Sequence, residues 1–162
     1  MLWPNRPLHA PNADLIGVPG GAARLTTPAL ILDLPRFRAN QAQIMRRCTD
    51  AGIKLRPHGK THKCSRIAAE QLADGARGIC CATPHEGIAF ASAGITGLLI
   101  TSPVVQPRHM GVLADLHRTG ADLTVVIDHV DGVATWEAVL GSAARPLPAP
   151  RRARPPPASP ER

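Results

Sequence analysis

Chemistry in this chain concentrates in one run, Leu55-Arg56-Pro57-His58-Gly59-Lys60-Thr61-His62-Lys63. Three cations and two histidines follow directly on a strand-like stretch. Such charge at the end of a buried strand is costly unless that end faces a polar site. In α/β folds the carboxyl ends of strands are where functional groups gather. Four readings compete. Gly59-Lys60-Thr61 matches the end of a phosphate-binding P-loop, but that motif needs a glycine five residues before Gly59, and Lys54 stands there. His58, His62 and Cys64 are metal-binding types, yet no helix clearly carries the two histidines and no fourth ligand is near. A solvated basic loop with no special role is favoured by composition alone. The last reading is a Schiff-base lysine. It needs an amine held at a strand end, facing a cavity, with cationic neighbours or desolvation favouring the neutral form that attacks. Lys60, with Arg56, His58 and Lys63 beside it, meets those conditions.

The elements that would position this run alternate between strand and helix. Residues 29–34 (ALILDL) are a short apolar run and a strand candidate, and Pro35 suits the first turn of a helix. Leu34, Phe37, Gln41, Ile44, Met45 and Cys48 share one face of that helix, with only Gln41 polar, and Gly52 closes it. Four strand-plus-helix units follow. Their strands are expected at 53–58, 78–82, 97–101 and 123–128. The second helix opens with Thr83-Pro84-His85-Glu86, a capping box with proline at the first helical position. Asp128 is expected to cap the fourth helix. The strands are near-continuous apolar runs, as when both sheet faces are buried. Parallel βαβ units with right-handed crossovers fit this order. A doubly wound sheet and part of a barrel both remain open.

Length and composition bound the rest. The chain has 162 residues, whereas a closed eight-stranded α/β barrel takes about 250. Apolar residues make up 44%, but only Trp3, Phe37, Phe90 and Trp136 are aromatic, so the core rests on aliphatic side chains. The net charge is +7. Residues 141–162 hold five arginines, one glutamate and seven prolines, so more than half of the excess sits in this tail. A basic tail can draw nucleic acid or acidic membrane, but this one has no aromatic interleaving and no helical period. The four cysteines, Cys48, Cys64, Cys80 and Cys81, form no CxxC pair. They read as reduced thiols in a cytoplasmic protein, with Cys64, Cys80 and Cys81 in or near the core. No signal peptide or membrane span is legible. Glu86 reads as a capping partner, His85 as exposed, and His109 and His117 as helical without a role.

Four segments in order, TPALILDL (27–34), LRPHGKTHKC (55–64), DGARGICC (74–81) and AGITGLLITSPVV (93–105), resemble the D-threonine aldolase and D-serine dehydratase family. These are fold-type III pyridoxal phosphate enzymes, related to the alanine racemase N-terminal domain. The resemblance covers about residues 25–140. It implies an α/β fold, a partial (β/α)8 TIM barrel of about four βα units. The organisation expected is an irregular arm at 1–24, the partial barrel at 25–143 and a disordered Pro/Arg-rich tail at 144–162. The lysine of the PHxK segment, here Lys60, is implied to bond covalently to pyridoxal phosphate, with His58 and Thr61 shaping the cofactor site. Residues 27–34 would pair with a separate β-domain rather than join the barrel.

The reaction implied is a lyase cleavage of D-3-hydroxy amino acids to glycine and an aldehyde. D-serine dehydratase activity is the alternative, and a non-catalytic pyridoxal phosphate-binding protein is a rival of another class. The family also uses a divalent metal, whose ligands lie near the end of a chain more than twice this length; no metal ligand is assigned here. The expected partners are a D-amino acid and, at full length, a second copy in a homodimer, with neither nucleic acid nor membrane. Ala82-Thr83 stand where the family often carries Gln-Lys, which affects contacts from that loop. The Pro/Arg/Ala string after about residue 148 reads as an out-of-frame product of a GC-rich gene, or else as a true disordered tail. A half barrel has an open sheet edge, so the chain alone is expected to be poorly stable.

Overall fold

The computed structural model describes residues 12–15 and 17–141. The expected tail at 144–162, and residues 1–11 of the expected arm, lie outside the described residues. The chain divides into two compact units, 1–39 and 40–162.

In the first unit, the stretch expected to be irregular contains two short 3-10 turns, Ala13–Leu15 and Gly21–Arg24. Asn12 Oδ1 accepts the Thr26 N–H at 2.8 Å. Residues 29–33 form no strand, and Leu30, Ile31 and Leu32 are exposed. A strand needs a neighbour for its N–H and C=O groups, and this segment has none among the described residues. Helix α1 (Leu34–Asp50) begins as its sequence predicts. Asp33 Oδ1 accepts the Arg36 N–H at 3.0 Å, and Pro35 occupies the first turn.

The apolar face expected on α1 is not core. No α1 residue is fully buried; Phe37, Met45 and Cys48 of that face are half-buried, and Leu34 and Ile44 are exposed. The polar member of the face adds hydrogen bonds. In the second unit, Gln41 Nε2 donates to the Glu70 carbonyl at 3.4 Å and to the Asp74 carboxylate.

The second unit is a three-stranded parallel sheet, β1 (Ile79–Cys81), β2 (Leu98–Ile100) and β3 (Leu123–Val125), in the order β1-β2-β3. Helices α2 (Ser65–Ala73), α3 (Pro84–Ser92), α4 (Pro107–Arg118) and α5 (Val130–Leu140) alternate with the strands. In register, Ile79 lies opposite Leu98, and Leu98 opposite Leu123. This is an open partial α/β barrel.

The strand expected at 53–58 is reduced to an extended edge. It meets β1 through one parallel bridge, His58 to Cys80, with Arg77 N donating to Leu55 O at 2.8 Å and Cys80 N to Pro57 O at 2.7 Å. Pro57 has no N–H to return, and proline within sheets belongs at edges.

The expectation of two buried faces also needs correction. In each strand the first and third residues are buried and the middle one, Cys80, Leu99 or Thr124, is only half-buried. One face packs on helices. The other is incompletely covered because the sheet does not close.

The packed face carries Ile79, Leu98, Ile100, Leu123 and Val125, against Phe90 of α3, Met110 and Leu113 of α4, and Trp136 of α5. Fully burying a side chain of this kind contributes about 1.5–3 kcal/mol. Two glycines let the first two strands approach. A Cβ on Gly78 would stand 1.9 Å from the Gly97 carbonyl oxygen. Asp128 does not cap α5. Val130 opens that helix, so the residue before it, His129, holds the cap position, and its Nδ1 accepts the Asp131 N–H at 3.2 Å. Among the described residues, no helix is long and apolar enough to cross a membrane.

Candidate functional site

The run singled out by sequence lies at the carboxyl edge of the sheet. His58 ends the extended segment, and Gly59–Thr61 make a single 3-10 turn. The turn lies close to the sheet because residue 59 lacks a side chain. Gly59 is buried, and a Cβ there would lie 2.4 Å from Phe90 Cε2, 2.6 Å from Phe90 Cζ and 3.1 Å from Ile79 Cγ2. Its neighbour Lys60 is exposed. Among the described residues, no carboxylate pairs with the Lys60 amine. Lys54, Lys60 and Lys63 are all the lysines of the chain.

His58 caps the turn. Its Nδ1 accepts the Lys60 backbone N–H at 3.3 Å, and Thr61 N donates to His58 O at 3.4 Å. On the other side of the ring, Nε2 lies 3.3 Å from Thr101 Oγ1. Burial pushes the imidazole below the ordinary histidine range, the Lys60 charge pushes the same way, and the Glu86 carboxylate opposes them. The structure thus brings Lys60, His58 and Thr61 together on one turn.

The turn leaves through Lys63, whose φ is 47°. For a residue with a side chain this left-handed conformation costs about 1–2 kcal/mol. It is held by the Lys63 N–H donating to Gly59 O at 2.8 Å. No sequence signal marked it, since glycine, asparagine or aspartate would be the usual occupant.

His62 makes contacts of its own. Its Nδ1 accepts the Cys64 N–H at 3.1 Å, and its ring meets Phe90 edge-on at 6.3 Å between centroids. Burial depresses its imidazole as well, with the Gln71 side chain and the Cys64 backbone opposing. With the Nδ1 atoms of His58 and His62 engaged by backbone, the trio His58, His62 and Cys64 forms no metal site. Among the described residues, no three His, Cys, Asp or Glu side chains gather as metal ligands would.

Glu86 acts largely as its sequence context implied. Thr83 Oγ1 accepts the Glu86 N–H at 3.3 Å, while Glu86 Oε2 accepts from Ala82 N at 2.7 Å, one residue further back than a regular capping box. Cys81 lies below it, fully buried, its thiol pushed up to about 12 by burial and then by Glu86. Such a thiol is inert. His85 is exposed, and its ring packs edge-on against His109 at 5.2 Å. His117 is buried in α4.

Sequence reasoning missed Phe90 and Thr101 as parts of the site, and it gave Arg56 a different place, as a cationic neighbour of Lys60. Phe90 is the surface on which Gly59 rests. Arg56 spends its guanidinium on the Gly97 carbonyl at 2.7 Å, tying the edge segment to the start of β2. Thr101 holds the far side of His58. Only Thr101 had a usable signal, its place just after a strand.

The profile of the alanine racemase N-terminal domain matches residues 32–149. The chain belongs to that family. Its members similar to this chain include a D-threonine aldolase from Arthrobacter sp, 43% identical over 107 residues, which cover 66% of this chain and 28% of that protein. A D-threo-3-hydroxyaspartate dehydratase from Delftia sp. (strain HT23) is 39% identical over 106 residues, covering 65% and 28%. Among solved structures, a D-threonine aldolase from Filomicrobium marinum superposes with a TM-score of 0.76 at 34% identity, over 80% of this chain and 35% of that one. This member of the alanine racemase N-terminal family therefore spans about a third of the length of the relatives it matches.

Proposed function

We propose that this chain carries the cofactor-bearing lysine of a pyridoxal phosphate-dependent lyase acting on D-3-hydroxy amino acids, and that the lysine is Lys60. The observation that carries the reading is the presentation of Lys60 on a capped turn at the carboxyl edge of a parallel sheet, its amine exposed and without a carboxylate partner among the described residues. The donor set fits the cofactor: a primary amine to form the covalent link, with the Thr61 hydroxyl on the same turn. When bound, pyridoxal phosphate supplies an electron sink for negative charge developing at the substrate α-carbon.

This chain's own residues supply position and proton handling. Lys60 Nζ would hold the cofactor covalently, and its amine, when free, is a group able to take or give a proton at the substrate α-carbon. His58 holds the turn through the Lys60 backbone N–H and so fixes where Nζ starts from. Thr61 would offer a hydroxyl to the cofactor from the same turn. The described residues gather no ligand set that fits the family's divalent metal.

The preferred reaction is carbon–carbon cleavage of the aldolase type, supported by the D-threonine aldolases of Arthrobacter sp and Filomicrobium marinum. A dehydratase reading is supported by the Delftia relative. Glycine and acetaldehyde from D-threonine would mark the first. Ammonia and pyruvate from D-serine would mark the second.

The cofactor assignment is tested by incubating the chain with pyridoxal phosphate, reducing with borohydride and mapping the modified peptide. With only Lys54, Lys60 and Lys63 available, the expected result is a label on Lys60 that Lys60→Arg abolishes. A label on Lys54 or Lys63 of the unaltered chain overturns the assignment.

A further inference from the structure

We propose that Thr101 is a positioning residue for Lys60, acting through His58: its hydroxyl fixes the one imidazole tautomer that can hold the Lys60 turn. This rests on the reading of Lys60 as the cofactor lysine.

Protons along a chain of hydrogen bonds fix the tautomer. Thr101 Oγ1 lies 3.0 Å from the Cys81 carbonyl oxygen and donates to it. The same carbonyl accepts the Thr101 backbone N–H at 2.9 Å, so both of its lone pairs point at Thr101. A hydroxyl has one proton. With that proton committed to Cys81 O, Thr101 Oγ1 meets His58 Nε2, at 3.3 Å, only as an acceptor. Nε2 must then carry the hydrogen. In a neutral imidazole this leaves Nδ1 with a lone pair, which is what the Lys60 N–H needs at 3.3 Å.

The opposite assignment fails at both ends. A hydrogen on Nδ1 would face the Lys60 N–H, donor against donor. It would also require the Thr101 hydroxyl to turn away from Cys81. The relay therefore runs from the carboxyl end of β1, through the first residue after β2, to the backbone of Lys60. It links positions 20 and 43 residues apart in sequence. The burial that depresses the His58 imidazole favours the neutral ring this relay requires.

The test reads the tautomer directly. Two-bond proton–nitrogen spectra of the full chain, with His58 identified by its loss in His58→Gln, should show a protonated Nε2 and an unprotonated Nδ1 near neutral pH. Thr101→Val should mix the tautomers and slow borohydride-trapped labelling of Lys60 about five-fold, the factor expected for one net hydrogen bond. Thr101→Ser should restore both. A protonated Nδ1 in the unaltered chain overturns the proposal, whether or not the valine variant folds. So does an unchanged tautomer and rate in a folded Thr101→Val chain. Failure of the underlying reading looks different: the label falls on Lys54 or Lys63 in the unaltered chain.

Discussion

Gly59→Ala is the substitution for which the structure dictates the largest response at the site. The φ of Gly59 is not in the left-handed region, so alanine is acceptable to the backbone and the penalty is steric. The new methyl would stand 2.4 and 2.6 Å from two ring carbons of Phe90 and 3.1 Å from Ile79 Cγ2. Carbon atoms pack at about 3.5–4.0 Å, so the turn and the ring must separate by roughly 1 Å. The ring cannot swing aside cheaply, since Phe90 is 5% exposed and Ile79 beneath it is 0% exposed. Overpacking of this kind costs about 1–3 kcal/mol. Urea unfolding followed by tryptophan fluorescence, with Trp136 buried in the same core, should show that loss as a lower midpoint at unchanged slope. The displaced turn should also slow pyridoxal phosphate labelling at Lys60. Phe90→Leu removes the clashing atoms, so Gly59→Ala should cost less in that background, with a coupling of about 1–2 kcal/mol in the double-mutant cycle. Additivity within about 0.5 kcal/mol would refute the contact argument.

Two further outcomes follow from the same structure. Thr83→Ala should lower stability by about 1 kcal/mol through loss of the α3 cap, whereas Thr83→Ser keeps the acceptor for the Glu86 N–H and should stay near the parent; equal losses in the two variants would exclude a capping role. The imidazoles of His58 and His62 are both depressed in the folded chain. The unfolded chain, with histidine near 6.5, then binds more protons, so their contribution is present above about pH 6.5 and is lost as pH falls toward the lower folded values. The urea midpoint should drop between about pH 7.5 and about pH 5.5, less steeply in His62→Gln, and a midpoint that rises on acidification would contradict the stated direction.

Much of the architecture was legible because it is written in local pattern. Short aliphatic runs separated by helix-length stretches can bury themselves only in a parallel α/β sheet. Thr83-Pro84-His85-Glu86 starts a helix by geometry confined to four residues, and β1 to β3 fall inside the segments expected. The pattern failed where pairing or covering decides the outcome. Residues 29–33 have strand composition but no neighbour. Residues 53–58 reach one only through a proline-broken edge. The apolar stripe on α1 is only half-buried, and its polar exception, Gln41, makes hydrogen bonds.

The site divides in the same way. Sequence alone determined that Lys60 sits among cations and histidines just past a strand-like segment, since composition and order require nothing distant. Tertiary structure decided how the lysine is held. The Gly59 contact comes from Phe90, on another element, and the acceptor for His58 Nε2 comes from Thr101, beyond a different strand. It also separated His58 from His62 by engaging the Nδ1 of each with its own backbone. Hydrogen bonds and steric contacts depend on distances of a few ångströms, and a linear order of residues does not contain those distances until the chain has folded.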